Sequence, residues 1–309
     1  MEPSTERSRG LTAARAHLDR GFRFEQAGSL ERALEAYREA LAARPTRTEE
    51  IEARLRTARV YRSMADWDKA RTESAEAIRL ADEIDADDLA AEAMNIQVGS
   101  LQSQGFFAEA EAVALAAVER AQSARVRGIT LQNLGRGAAE RRDFEQADRY
   151  FAASIEAFRT AKYDVGLAVA LTNAAQAALD RGDAKRALVV GEEAIGLARR
   201  LNALDVLLTA VQIQASAFVA LGNPESAESL LTEALGHFTS ARNRIRQAEC
   251  LEIMGQMSEL RSDDPQTARR CYERARDLAR EVGDAPLVER LTKRLTDSGS
   301  RSAANGGTP

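Results

Sequence analysis

The sequence predicts an all-α fold, a solenoid of stacked helical hairpins, and three observations predict it. The first is composition. Sixty of the 309 residues are alanine, aromatics make up 5%, and only six prolines interrupt the chain. Alanine is the strongest helix former, since it loses no side-chain entropy and buries no polar group. The second is a recurring motif. Asp66-Trp67-Asp68-Lys69-Ala70, Asp143-Phe144-Glu145-Gln146-Ala147 and Asp183-Ala184-Lys185-Arg186-Ala187 share a register. Their closing alanine has equivalents at Ala33, Ala70, Ala110, Ala147, Ala187, Ala227 and Ala268, spaced 37, 40, 37, 40, 40 and 41 residues apart. The third is a second small residue two helical turns on: Ala40, Ala77, Ala117, Ser154, Ala194, Ala234 and Ala275. Two small residues on one face let a neighbouring helix approach closely.

Each repeat unfolds from this register as helix A, a tight turn and helix B. The A helices are expected at 11–27, 49–64, 88–104, 125–141, 165–181, 204–221 and 244–261. The turns carry Gly28, Gly105, Gly182 and Gly222, where a left-handed residue ends helix A. The next residue is Ser29, Asp66, Phe106, Asp143, Asp183, Asn223 or Asp264, and all but Phe106 suit an N-cap. Pro224 and Pro265 follow at the first helical position, where a missing N–H loses nothing. The B helices are expected at 30–43, 67–83, 107–123, 144–160, 184–200, 224–240 and 265–281. The repeats span about 11–45, 48–85, 88–123, 125–162, 165–201, 204–240 and 244–282, with a capping helix at 286–295. Residues 1–10 and 296–309 are expected to be disordered. Negative charge at Asp82, Asp85, Asp87 and Asp88 suits the start of the third helix A.

The pattern resembles the tetratricopeptide repeat family, whose signature pairs Leu-Gly in helix A with Ala-x₃-aromatic in helix B. Repeat one carries Gly21, Gly28, Ala33, Tyr37, Ala40 and Pro45; repeat four carries Leu134-Gly135, Ala147 and Phe151; repeat seven carries Gly255, Ala268 and Tyr272. Repeats two to seven run to about 40 residues rather than 34, similar to the elongated subclass. The resemblance implies a right-handed superhelical solenoid of about seven hairpins plus a C-terminal cap. It also implies a non-catalytic scaffold or adaptor that takes a peptide or protein segment in a concave groove lined by A helices. A ligand-responsive regulator and a self-assembling scaffold remain as alternatives.

By that resemblance the groove positions are Arg59 and Arg62; Asn95 and Gln102; Gln132, Asn133 and Arg136; Thr172, Asn173 and Gln176; Gln212 and Ser216; and Glu252, Gln256 and Glu259. Asn95, Asn133 and Asn173 recur once per repeat. A carboxamide both donates and accepts, so such a ladder suits a peptide backbone, or equally a bond to a neighbouring helix. Arginines in the N-terminal half of the groove suit an acidic or carboxylate-ended segment, or simply face water.

Other function classes find little support. A net charge of −5 argues against a nucleic-acid partner. The 39 arginines against four lysines read as base composition rather than phosphate recognition. His17 and His237 stand far apart, and no ligand set for a metal or phosphate cradle for a cofactor is visible. Cys250 and Cys271 read as small buried hydrophobes. The opening MEPSTERSRG has no apolar h-region, so a cytoplasmic protein with reduced thiols is expected. The stretch 206–222 is uncharged but too short for a membrane span.

Overall fold

A computed structural model describes residues 12–260 and 265–305. Among them are fifteen α-helices and no strand. Contacts group the chain into two compact units, residues 1–161 and 162–309. The first holds α1 (Ala13–Gln26), α2 (Leu30–Ala42), α3 (Arg47–Ser63), α4 (Trp67–Asp82), α5 (Asp87–Ser103), α6 (Phe107–Arg120), α7 (Ala124–Glu140) and α8 (Phe144–Thr160). The second holds α9 (Asp164–Asp180), α10 (Ala184–Arg200), α11 (Leu204–Ala220), α12 (Pro224–Ser240), α13 (Arg244–Leu260), α14 (Pro265–Val282) and α15 (Ala285–Asn305). Odd helices are the expected A helices and even ones the B helices. Within each unit every helix packs on its sequence neighbours, and α1, α3, α5 and α7, like α9, α11 and α13, also touch one another in order. The fold is an all-α helical-repeat solenoid. No described helix is long and apolar enough to cross a membrane.

The alanine register explains the close packing. Ala33, Ala70, Ala110, Ala147, Ala187, Ala227 and Ala268 are all buried, as are the seven small residues two turns later. The one serine among them, Ser154, donates its hydroxyl to the Gly128 carbonyl at 2.8 Å, so its burial leaves no orphan polar group. Three hairpins are further keyed by a glycine–aromatic pair at equivalent places on the two helices. In repeat four the Phe151 ring lies on Gly135, where an added Cβ would stand 2.7 Å from the ring. Tyr37 covers Gly21 and Tyr272 covers Gly255 in the same way. Where helix A carries alanine instead, helix B carries something smaller than an aromatic: Ala58 with Ser74, Ala175 with Gly191, Ala215 with Leu231. These pairs do not conserve volume by themselves: the space above Gly191 is taken by the Gln214 side chain of α11, so the close-packed interior is completed from the next repeat.

The turns follow the helix-termination rules. Gly28, Gly105, Gly182 and Gly222 have φ of 72°, 82°, 89° and 73°. The next amide then reaches back five residues, as from Ser29 to the Phe24 carbonyl at 2.9 Å. Ala65 and Arg142 take the same left-handed conformation without being glycine, at φ of 58° and 61°. The Asp66, Asp143, Asp183 and Asn223 side chains accept from the amide three residues on. Ser29 occupies its cap position without a side-chain bond to the first turn, and the expected cap Asp264 lies outside the described residues.

Two boundaries differ from expectation by more than two residues. Helix α6 ends at Arg120, not 123, because Asp88 Oδ1 accepts from the Gln122 and Ser123 amides at 2.8 and 3.0 Å and draws that segment out of the helix. Ser123 then caps α7 by accepting from the Val126 amide. Helix α15 runs on to Asn305, past the expected end at 295, so 296–305 is helical rather than disordered. No proline or glycine pair interrupts that stretch until Gly306-Gly307. Residues 1–10 and 306–309, also expected to be disordered, lie outside the described residues.

The keyed pair yields a sign test. Gly135→Ala gains about 1 kcal/mol of helix propensity, but overpacks against the fixed Phe151 ring at a cost of about 1–3 kcal/mol. Urea denaturation is expected to show a net loss in the wild-type background. With Phe151→Leu, which imports the alanine–leucine pairing of Ala215 and Leu231, the same change is expected to become neutral or stabilising. The turns yield a second test. Ala65→Gly is expected to stabilise by about 1 kcal/mol, and Gly105→Ala to destabilise by a similar amount. An added Cβ at Gly105 meets nothing within 4 Å, so backbone conformation alone sets that cost.

Candidate functional site

In the first unit the polar residues of α3, α5 and α7 form a connected face. Asn133 Nδ2 donates to Asn95 Oδ1 at 3.0 Å, and Asn95 Nδ2 donates to Thr130 Oγ1 at 2.8 Å. Thr130 passes its own proton to the Val126 carbonyl at 3.0 Å. One turn along, Gln102 Nε2 donates to the Asn133 carbonyl at 2.7 Å, and Arg136 Nη2 donates to Gln102 Oε1 at 2.6 Å. The amide of Gln102 rests on Gly137, where a Cβ would come within 2.9 Å of it. A one-directional chain of hydrogen bonds thus ties α5 to α7.

The expected asparagine ladder is altered by this. Asn95 is buried rather than presented to the groove. Its place lies fifteen residues before its repeat's anchor alanine, against fourteen for Asn133 and Asn173. One residue is 100° around a helix, enough to turn it into the α5–α7 interface. Asn133 is half-buried and shares its amide with Asn95, and Gln132 is half-buried beside it.

Arg59 and Arg62 lie one turn apart on α3, both half-buried. The Arg62 guanidinium rests on the bare backbone of Gly99 in α5. Burial, then the positive charges of Arg59 and Arg136, pull Arg62 below the usual guanidinium range. Burial does the same to Arg136, with Glu140 opposing it. The contrast with other arginines of this unit is sharp. Half-buried Arg15, Arg20, Arg54, Arg56 and Arg120 pair with Glu52, Glu39, Glu73, Glu52 and Asp87. Among the described residues, Arg59 and Arg62 pair with no carboxylate. Sequence reasoning found both arginines but missed Gly99 and Gly137, the flat seats beneath the long polar side chains. Mid-helix glycines without an aromatic partner in helix B were the available signal.

In the second unit the expected positions stay apart. Asn173 is half-buried on α9, Gln176 donates along the helix to Asp180 Oδ1 at 2.7 Å, and Gln212 is exposed on α11. Thr172 is buried and bonds the Ala168 carbonyl at 2.8 Å. Glu252 differs from expectation: it is 5% exposed, not on the groove surface. Arg290 grips both its oxygens, with Nε 3.0 Å from Oε1 and Nη2 2.8 Å from Oε2, and Arg294 Nε donates to Oε1 at 3.0 Å. Helix α15 is thereby locked onto α13. Cys250 is buried, its thiol donating to the Leu231 carbonyl at 3.4 Å, and burial followed by the nearby Cys271 pushes it up to about 12.

Comparison with known structures finds likenesses at low sequence identity. The chain is similar to the apo quorum sensor NprR from B. thuringiensis, at 16% identity and TM-score 0.66 over 86% of this chain and 76% of that one. It is similar to a Rap protein complexed with Competence and Sporulation Factor, at 15% and 0.61 over 94% and 76%. It is also similar to aspartyl phosphate phosphatase F from Bacillus subtilis, at 14% and 0.61 over 86% and 70%. These likenesses show the fold, that of tetratricopeptide-type helical-repeat proteins. No protein-family model matches the chain, and no curated protein does.

The hydrogen-bond chain predicts unequal costs for its two asparagines. Asn95→Ala removes the donor to buried Thr130 and the acceptor of Asn133 together, and is expected to cost about 1–3 kcal/mol. Asn133→Ala, at the solvent end, is expected to cost about 1 kcal/mol or less. Equal costs in chemical denaturation would show that the chain is not buried at one end.

Proposed function

We propose that this chain is a non-catalytic, peptide-binding regulatory repeat protein, and that its peptide lies along α3, α5 and α7. One observation carries the reading. On this face Asn95, Gln102, Asn133 and Arg136 are already ordered by one another, yet two half-buried cations beside them, Arg59 and Arg62, lack the carboxylate that every comparable arginine in the unit has. A preorganised face with unmet charge is what a binding surface needs, because little ordering entropy is then lost on association. Arg59, Arg62, Gln132, Asn133 and Arg136 are the proposed contacts. Gln102 and Asn95 are proposed to hold those side chains in place rather than to touch the ligand. Asn173, Gln176 and Gln212 are proposed as lesser contacts on the second unit's own A-helix face.

The structural likenesses support the class of ligand. A Rap protein is seen in complex with Competence and Sporulation Factor, and the Rap conjugation gene regulator of plasmid pLS20 with the Phr* peptide. The likeness to aspartyl phosphate phosphatase F, at 14% identity, carries its fold and not its chemistry.

Peptides selected from a random library on the full chain, then resynthesised with a benzophenone photoprobe, test the reading. Crosslinks are expected on α3, α5 and α7 when mapped by mass spectrometry. Crosslinks confined to the even helices would sink it. Small-angle scattering separates the regulatory reading from a passive adaptor: a regulator is expected to change its radius of gyration on peptide addition.

A further inference from the structure

We infer that Arg59, Arg62 and Arg136 form a receptor for a side-chain carboxylate, so that the peptide taken by this face is acidic. The inference rests on the peptide-binding reading above and names the chemistry of its ligand.

The chain itself shows how such a set of donors is completed. In the second unit, two arginines one turn apart on α15, Arg290 and Arg294, close around a single buried carboxylate, Glu252, presented by another helix. In the first unit α3 carries two arginines at nearly the same separation, Arg59 and Arg62, and Arg136 of α7 adds its positive charge. No acidic residue is presented to Arg62: the charged groups that act on it are Arg59 and Arg136, both cations. Glu140 acts on Arg136 and is not among the groups that act on Arg62. Three cations held together, two of them half-buried and Arg136 at the exposed edge, repel one another, and an anion placed among them relieves the repulsion and takes charge-assisted hydrogen bonds.

The seat is shaped as well as charged. Gly99 lets Nη1 of Arg62 come up against α5, since a Cβ there would collide with it. Gln102, braced on Gly137 and bonded to the Asn133 carbonyl, fixes Arg136. The guanidinium is a rigid planar fork that matches a carboxylate bidentately, which a lysine does not. Of the four lysines in the chain none lies on α3, α5 or α7.

The test uses the full chain and a random-peptide library displayed with its C-terminus fused, so that only side chains supply carboxylates. Selected peptides are expected to be enriched in Asp or Glu. For the tightest of them, Arg62→Gln is expected to weaken binding by about thirtyfold or more. Replacing the peptide's acidic residue by its amide is expected to cost the same, and the two changes together little beyond either alone. Gly99→Ala keeps every charge, displaces the Arg62 guanidinium and is also expected to lose affinity. Without peptide, Arg62→Gln is expected to melt no lower than the wild type. A lower melting point would show that Arg62 is held for the fold, and Gly99→Ala at full affinity would show that the seat does not matter. Either result overturns the receptor. Peptides that crosslink to α3, α5 and α7 without acidic enrichment and bind Arg62→Gln undiminished would overturn it while leaving the peptide groove standing. Recovery of no peptide at all would overturn both.

Discussion

A helix in a two-helix hairpin has more apolar surface than one partner can cover, and the rest of this structure depends on how that surplus is buried. The A helices of each unit carry apolar residues around most of their girth. In α9 ten residues are buried, from Gly166 to Ala178. Such a helix cannot stand at a surface, and α9 packs on its own B helix, α10, and on the next A helix, α11. Alanine and glycine make that sandwich thin. The consequence for function is geometric. An A helix with so much of its circumference buried has one narrow strip left over, and whatever polar residue falls on the strip is presented in a row with those of its neighbours. The polar face is the residue of the packing problem.

The repeat architecture was legible in the sequence because the constraints that set it are local and recur. Anchor alanines, their partners two turns on, and the cap positions each follow from one hairpin's needs, so seven copies reinforce one another. The keyed glycine–aromatic pairs were visible at Gly21, Gly135 and Gly255 for the same reason. What escaped was set by relations between repeats. The fate of Asn95 depends on Thr130 and Asn133 of the next repeat, and a one-residue offset from the anchor decided it. Glu252 read as a groove residue because its two arginine partners lie 38 and 42 positions away on a helix assigned only a capping role. The short α6 reflects a carboxylate of the preceding helix, Asp88, whose grip on two amides outweighs three more residues of helix.

Electrostatics divides the arginines into two populations by the same logic. Most serve as mortar: Arg120 bridges Asp82 and Asp87, Arg54 reaches Glu73, and Arg290 with Arg294 closes the last repeat on Glu252. Pairs open to solvent, such as Arg120 with Asp82, contribute little individually, but they neutralise charge near the packed layers. Arg59 and Arg62 stand outside that arrangement. Burial raises the cost of their charge without a compensating partner, so the free protein carries a small electrostatic debt localised on one helix face. A chain with a net charge of −5 has ample acid to cancel it and has not done so there.

The motif that first revealed the repeat also contains the chain's sole tryptophan, Trp67, the opening residue of α4. Indole emission therefore originates wholly in the unit of residues 1–161, whereas helical circular dichroism sums over both. The molecule carries a built-in optical label on one half of its length. Superimposable melting curves from the two signals would mark a single cooperative transition, and separated ones would give the halves individual stabilities without any added dye or engineered probe.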